Sequence, residues 1–487
     1  MLGQNALRAL LLLGAALAPA MAIAADDAAQ PPAPRDPLRF DDAGGFIKFG
    51  LEAGVQVVGE HNAFWNLSKT FAPASGYNPR IVWQEGYIKP GVTFERRLGD
   101  ETTVYGGLSA IGARTFRTDV FDSADQGRLL IEDAYVGLRH APKASPFKFD
   151  LSAGAQPYRI GSGMIIADGG ADGFERGALI FGPRRAWANT AIAKASYGPF
   201  SLDAFYLDAN ELKSADTGTR LAGVKAEVAI RANEFAGIAA GQAVHSTAPY
   251  PQAAPGGVGA PAIISGGRDG LQFANAYFRW NPFGDALPGF WTSGDLALER
   301  NDRIAMQAWA GRAEIGYAFA DLAWRPTLSY AYQTFSGDDP RTRRLERFDP
   351  LFYDGSPAAW VTGSNGSMVF INSNVNAHRV TLALTPSPQD FITLRYAYVS
   401  ANELNSPIQY GQATRLTLDH GLPSLVAGVR TPHLSNDYLA EYTRVLSQNA
   451  FLTVGYAYST PGKGLKDLAS GRVSNWTGAF ANLVIRY

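Results

Sequence analysis

The sequence predicts an all-β fold: a transmembrane antiparallel β-barrel of about 18 strands, with short periplasmic turns and long extracellular loops. Three observations carry that expectation. Apolar and polar side chains alternate every second residue along most of the chain. The connections between alternating segments switch between short and long. No stretch offers the 18 or so consecutive apolar residues of a helical span.

The first strand, 46–58, shows the pattern most clearly. Ile47, Phe49, Leu51, Ala53, Val55 and Val57 make one apolar face, and Lys48, Gly50, Glu52, Gly54 and Gln56 make the other. A wall between lipid and a water-filled lumen needs those two faces. The alternation returns near 82–96, 102–112, 129–140, 146–158, 186–196, 199–209, 220–231, 234–245 and 270–281. It continues near 289–300, 303–319, 325–335, 376–386, 389–400, 434–447, 450–460 and 474–487. In the last of these, Ala479, Ala481, Leu483, Ile485 and Tyr487 share a face opposite Asn482 and Arg486. An aromatic residue ending such a strand resembles the signal read by the barrel-assembly machinery, an expected partner. This strand should run down to the periplasm and close against 46–58.

Turn chemistry marks the short connections: Leu98-Gly99-Asp100, Tyr197-Gly198-Pro199, 231–233 and Pro386-Ser387-Pro388. The long ones cover about 59–81, 159–185, 246–269, 336–375 and 401–433. Tyr330-Ala331-Tyr332, Tyr396-Ala397-Tyr398 and Tyr456-Ala457-Tyr458 each precede a polar loop, and paired tyrosines two apart suit an outer aromatic belt.

The N-terminal residues read as a signal peptide over 1–24, with Arg8, a short apolar core and small residues near 20–24. A Pro/Ala-rich flexible periplasmic leader is expected over 25–45, too short to fold as a plug, and the barrel over 46–487. The absence of cysteine excludes a disulfide framework. A formal net charge of −1 gives no pull toward nucleic acid, so none is expected as a partner.

Chemistry is sparse. The six histidines are scattered and show no metal spacing; no Ser elbow or phosphate-cradling motif is present. No enzyme activity, metal or cofactor is expected. With each strand's apolar face toward lipid, Lys48, Lys89, Arg139, Lys148, Lys225, Arg279, Arg312, Arg379 and Arg395 point into the lumen. So do Glu52, Glu95, Asp133, Asp150, Glu227, Asp295, Glu314 and Glu441. Such charges either pair into wall-filling ladders or form a cationic path that selects anions. Arg379, Arg395 and Arg312 are the first candidates for lining the pore, followed by Lys48, Lys89, Arg139 and Arg279. Arg176, Arg184 and Arg185, in a Gly-rich segment at 161–185, are candidates for the entrance or solvated loop residues. The long segment 336–375 should fold into or over the pore. Within it, Phe348, Asp349, Pro350, Leu351, Phe352 and Tyr353 are the expected gating loop.

Several motifs here resemble the alginate export family of outer-membrane proteins. They are Ser336-Gly337-Asp338-Asp339-Pro340, Phe348-Asp349-Pro350-Leu351-Phe352-Tyr353, Phe370-Ile371-Asn372-Ser373-Asn374 and His378-Arg379-Val380. Gly154-Ala155-Gln156-Pro157 and the stretch from Asp168-Gly169 to Arg176-Gly177 are similar less specifically. The resemblance implies a monomeric 18-stranded barrel in outer-membrane lipid, with an arginine-lined pore conducting an anionic polysaccharide outward beside periplasmic export proteins. The alternative is a general or small-solute porin for uptake of organic or sugar acids.

Overall fold

The computed structural model describes residues 37–71, 73–353, 370–408 and 428–487, together with the backbone of 418–419 and 422–423. The expected signal peptide and most of the expected leader lie outside the described residues. So does part of the 336–375 segment.

Eighteen long strands close into one antiparallel barrel. They are β1 (Gly45–His61), β2 (Ile81–Arg97), β3 (Thr102–Phe116), β4 (Gly127–His140), β5 (Phe147–Ala155), β6 (Asn189–Tyr197), β7 (Phe200–Asp208), β8 (Arg220–Arg231) and β9 (Glu234–His245). The second half is β10 (Gln272–Trp280), β11 (Phe290–Asn301), β12 (Met306–Ala318), β13 (Thr327–Phe335), β14 (Val375–Ser387), β15 (Asp390–Ala401), β16 (His433–Ser447), β17 (Ala450–Pro461) and β18 (Trp476–Arg486). Each pairs with the next in sequence, and β18 pairs with β1 through Glu52↔Arg486 to His61↔Thr477.

Below that register, Tyr487 exchanges two backbone hydrogen bonds with Leu51, of 2.9 and 3.1 Å. The edge of β1 beyond it is taken by a short strand, Arg39–Asp42, which pairs Arg39↔Lys48 to Asp42↔Gly45. This strand brings the sheet to 19 members. The chain is therefore ordered within the stretch expected as leader, because Gly45–Gly50 would otherwise expose unpaired backbone.

The alternation decides which face meets lipid. Ile47, Phe49, Leu51, Val55 and Val57 point outward on β1, as do Leu129 and Ile131 on β4 and Leu296 and Leu298 on β11. Tyr330, Tyr396, Tyr438 and Tyr456 also face outward; Tyr330 Oη lies 2.7 Å from His378 Nδ1 and the Tyr396 and Tyr438 rings are 5.1 Å apart. One bulge interrupts the pattern: Ser109 on β3 stands opposite both Glu132 and Asp133, so both carboxylates face inward.

Odd-numbered strands end in long connections, with the exception of the tight 302–305 turn after β11. Even-numbered strands end in short ones, although 281–289 and 319–326 are longer than a hairpin turn. The long-loop end is extracellular by that asymmetry.

Among the described residues, the 156–188 segment and the loop through Phe348 turn inward and supply much of one apolar cluster of the interior. Ile160, Met164, Ile165, Ile166 and Trp187 of the 156–188 segment pack with Phe348 and Leu351 of the other loop and with Phe205, Phe273 and Phe335 of the wall. Around Phe64, Trp65, Phe370 and Trp476 a second cluster fills the extracellular half.

Candidate functional site

The lumen is the candidate site, and strand register builds its charge pattern. Arg139 on β4 pairs with Asp150 on β5, Asp150 with Lys194 on β6, Lys194 with Asp203 on β7, and Asp203 with Lys225 on β8. All five occupy inward positions. One row across five strands thus alternates cation and anion. Arg139 Nε is 3.1 Å from Asp150, and Lys225 Nζ is 2.9 Å from Asp203. Tyr105 donates to Asp150 and Tyr158 to Asp203, so the carboxylates are held from two sides.

Closer to the seam, Lys89 Nζ sits 3.1 Å from Asp133, which also accepts from Ser109 at 2.5 Å. Arg486 Nε meets Glu52 at 2.8 Å, and Tyr87 donates to Glu52 at 2.6 Å. Lys48 is half-buried at an inward position near the periplasmic end.

The arginines ranked first by sequence sit on the other wall. Glu314 accepts from Arg312 and lies 3.7 Å from Arg379. Arg279 stacks over the Trp291 ring at 4.2 Å. Arg395 lies close enough to Arg379 and Glu441 to act on both electrostatically. Arg379 and Arg395 are only 3% and 4% exposed. Arg139, Lys148 and Lys194, by contrast, are exposed at their inward positions.

The 156–188 segment crosses the lumen. Arg185 N and Ala186 N donate to Glu132 at 2.7 and 2.9 Å, and Ile180 N to Glu85 at 3.2 Å. On the far wall, Ser162 donates to Asp295 at 2.9 Å. The Phe181 ring stacks edge-on against Tyr87 at 5.2 Å, directly over Gly54. A Cβ at Gly54 would lie 2.7 Å from both rings, so only glycine lets the segment approach β1 this closely. Arg184 is 1% exposed in its salt bridge to Asp172, and Arg176 bonds the carbonyls of Ala171, Asn210 and Glu211; both are structural pins. Arg185 alone of the three points to open solvent.

The stretch from Phe348 to Tyr353 lies inside the barrel mouth, not above it. Phe352 N donates to Ile165 O at 3.0 Å and Ala167 N to Phe352 O at 2.8 Å, which joins the two inward loops. Trp187 stacks on Phe352 at 5.0 Å. Asp349 receives two bonds from Arg268, of 2.7 and 2.8 Å, and one from Leu351 N at 3.0 Å. Burial alone would raise the Asp349 carboxyl, but Arg268, those bonds and Arg347 outweigh it and hold it below its ordinary value of 3.8.

A group depressed in this way stabilises its structure above the ordinary value and loses that contribution as pH falls through the lowered one. Current fluctuations from loop release should therefore be absent between neutral pH and pH 5 and emerge only below about pH 4. Asp349→Asn should show them at neutral pH in planar bilayers, because removing one partner of a buried ion pair costs about 3–5 kcal/mol.

Several residues escaped sequence reasoning. Asp203 and Lys194 complete the charge row, and Arg268 anchors the inner loop. Glu299 accepts from Asp349 N at 2.8 Å. Among the described residues, no cluster of three or more His, Asp or Glu could hold a metal.

Residues 272–473 match the model of the alginate export family, and the closed barrel fits an outer-membrane barrel of that family. The motifs at 336–340, 348–353, 370–374 and 378–380 lie within that match; those at 154–157 and 168–177 lie before it. No curated protein sequence matches the chain. Solved structures share the fold. OccAB1 of Acinetobacter baumannii is 8% identical over 91% of this chain and 96% of its own, with a TM-score of 0.52. OccK11 (OpdR) of Pseudomonas aeruginosa is 12% identical over 90% of this chain and 95% of its own, with a TM-score of 0.50. Fold and family match together point to an outer-membrane channel rather than an enzyme.

Proposed function

We propose that the barrel conducts carboxylate-bearing saccharides by passive diffusion, with an alginate-like polyuronate as the cargo. The observation that carries this reading is the row Arg139–Asp150–Lys194–Asp203–Lys225, together with exposed Arg185 on the crossing segment. Guanidinium and ammonium groups set at strand spacing offer a carboxylated chain successive resting points. Interleaved carboxylates keep each of them weak, so the chain can leave as well as enter. The family match over 272–473 supports the choice of a uronate.

Uptake of small organic or sugar acids is the second reading, and one observation favours it. The segment 156–188 joins the loop through Phe352 across the lumen, which narrows the path for a polymer. The periplasmic export proteins implied for a polymer exporter belong to the first reading only.

Reversal potentials in a salt gradient test the reading common to both, an anion-preferring pore; a cation preference in the wild type would sink it. Oligouronates of increasing length then separate the two. Block that deepens with length, and is absent with neutral oligosaccharides, supports the polymer; block by monomers alone supports small acids.

A further inference from the structure

We propose that the outer face of β10–β12, at its extracellular end, binds the phosphorylated headgroup of an outer-leaflet lipid. Three outward-facing side chains form one row there: Gln272 pairs in register with Arg300, and Arg300 with Gln307. All three are exposed on the face that meets lipid. Directly below runs an apolar row, Ala274–Leu298–Trp309, also in register. Arg344, from the loop after β13, reaches over the rim and donates to Gln307 Oε1 at 3.0 Å.

A guanidinium on the lipid side is costly at mid-membrane and tolerated only near the interface. The Gln–Arg–Gln row therefore marks headgroup depth, with Trp309 where an interfacial aromatic belongs. The turn after β11 is the tight one at 302–305, so no long loop need stand between this row and the lipid surface. Below it, Ala274, Ala276 and Gly311 flank Leu296, Leu298 and Trp309, a shallow trough suited to acyl chains.

Carboxylates are near as well. Arg300 Nε bonds Asp302 at 2.6 Å, and Asp269 holds Arg303. The Asp302 contact engages Nε, and the Arg300 side chain remains 67% exposed, so its terminal N–H groups take no part in that bond. Arg344 is held by an amide rather than by a carboxylate. Two guanidiniums flanked by amide donors match a phosphate monoester, which accepts bidentate bonds from arginine.

The test uses the full barrel in detergent with bis-phosphorylated lipid A, its dephosphorylated counterpart, inorganic pyrophosphate and a uronate trisaccharide as separate probes, read by native mass spectrometry. The wild type should retain the phosphorylated lipid, and Arg300→Gln with Arg344→Gln should weaken retention about tenfold. The heat-modifiable mobility of the barrel reports folding. Should the glutamine pair not fold, Arg300→Lys with Arg344→Lys should keep part of the binding. Equal retention of the dephosphorylated lipid, or no change in either variant pair, overturns the proposal. Displacement of the lipid by pyrophosphate alone, or by the uronate, would reassign the surface to a free ion or to the cargo and also overturns it.

Discussion

Deleting residues 161–184 and rejoining the flanks through a short glycine linker is expected to raise single-channel conductance roughly two- to threefold. A barrel of 18 strands is wide enough for an aqueous channel, so the protein inside it sets the resistance. Among the described residues, the crossing segment is one obstacle in that lumen. It spans from Glu85 and Glu132 on one wall to Asp295 on the other, and bonds the inner loop through Ile165 and Ala167. The wall itself should survive, because β5 and β6 pair through Phe147↔Tyr197 to Gly154↔Thr190 without help from the segment. Unchanged conductance in a correctly folded deletion would mean that the narrowest point lies elsewhere.

That obstacle was only half legible beforehand. Strands are visible in sequence because lipid on one side and water on the other enforce a period of two over many residues. Register near tight turns is legible for the same reason. The turn Gly198-Pro199 makes Tyr197 oppose Phe200, and so Lys194 oppose Asp203, a cation–anion pair that counting outward from the turn would have found. Loop trajectories follow no such period. Whether 156–188 projects outward or folds inward depends on Glu132 receiving two backbone N–H groups and on Gly54 leaving room for Phe181. Those contacts join residues far apart in the chain, and they involve the bulge at Ser109, which shifts the face that Glu132 presents.

Three of the motifs behind the family resemblance, at 336–340, 348–353 and 370–374, prove to be loop pins, and the fourth, 378–380, lies on β14. Asp338 accepts from Ala253 N and Glu346 N at 2.7 and 2.8 Å, and Asn374 accepts from Glu403 N at 2.7 Å. Ser373 donates to Phe348 O at 2.6 Å. They specify how the mouth is folded.

The ranking of arginines leads to the last expectation. Sequence favours Arg379 and Arg395 as selectivity residues because strands hold side chains rigidly. In the folded barrel both are nearly inaccessible, and Arg379 stands by Glu314, itself engaged by Arg312. Arg379→Glu would place two carboxylates together in a site without solvent, and losing one partner of such a pair costs about 3–5 kcal/mol. The expected result is a folding defect, seen as loss of the heat-modifiable band at a lower temperature than in the wild type. Arg139→Glu with Lys194→Glu should behave in the opposite way. Both side chains are exposed to the lumen, so screening limits their worth to the fold. Their removal, however, turns the row into a run of five positions with a single cation, Lys225, against four carboxylates. The reversal potential should then change sign toward cations while the barrel keeps its thermal stability. If instead Arg379→Glu folds normally and by itself reverses selectivity, the buried arginine wall lines the path and the exposed row does not.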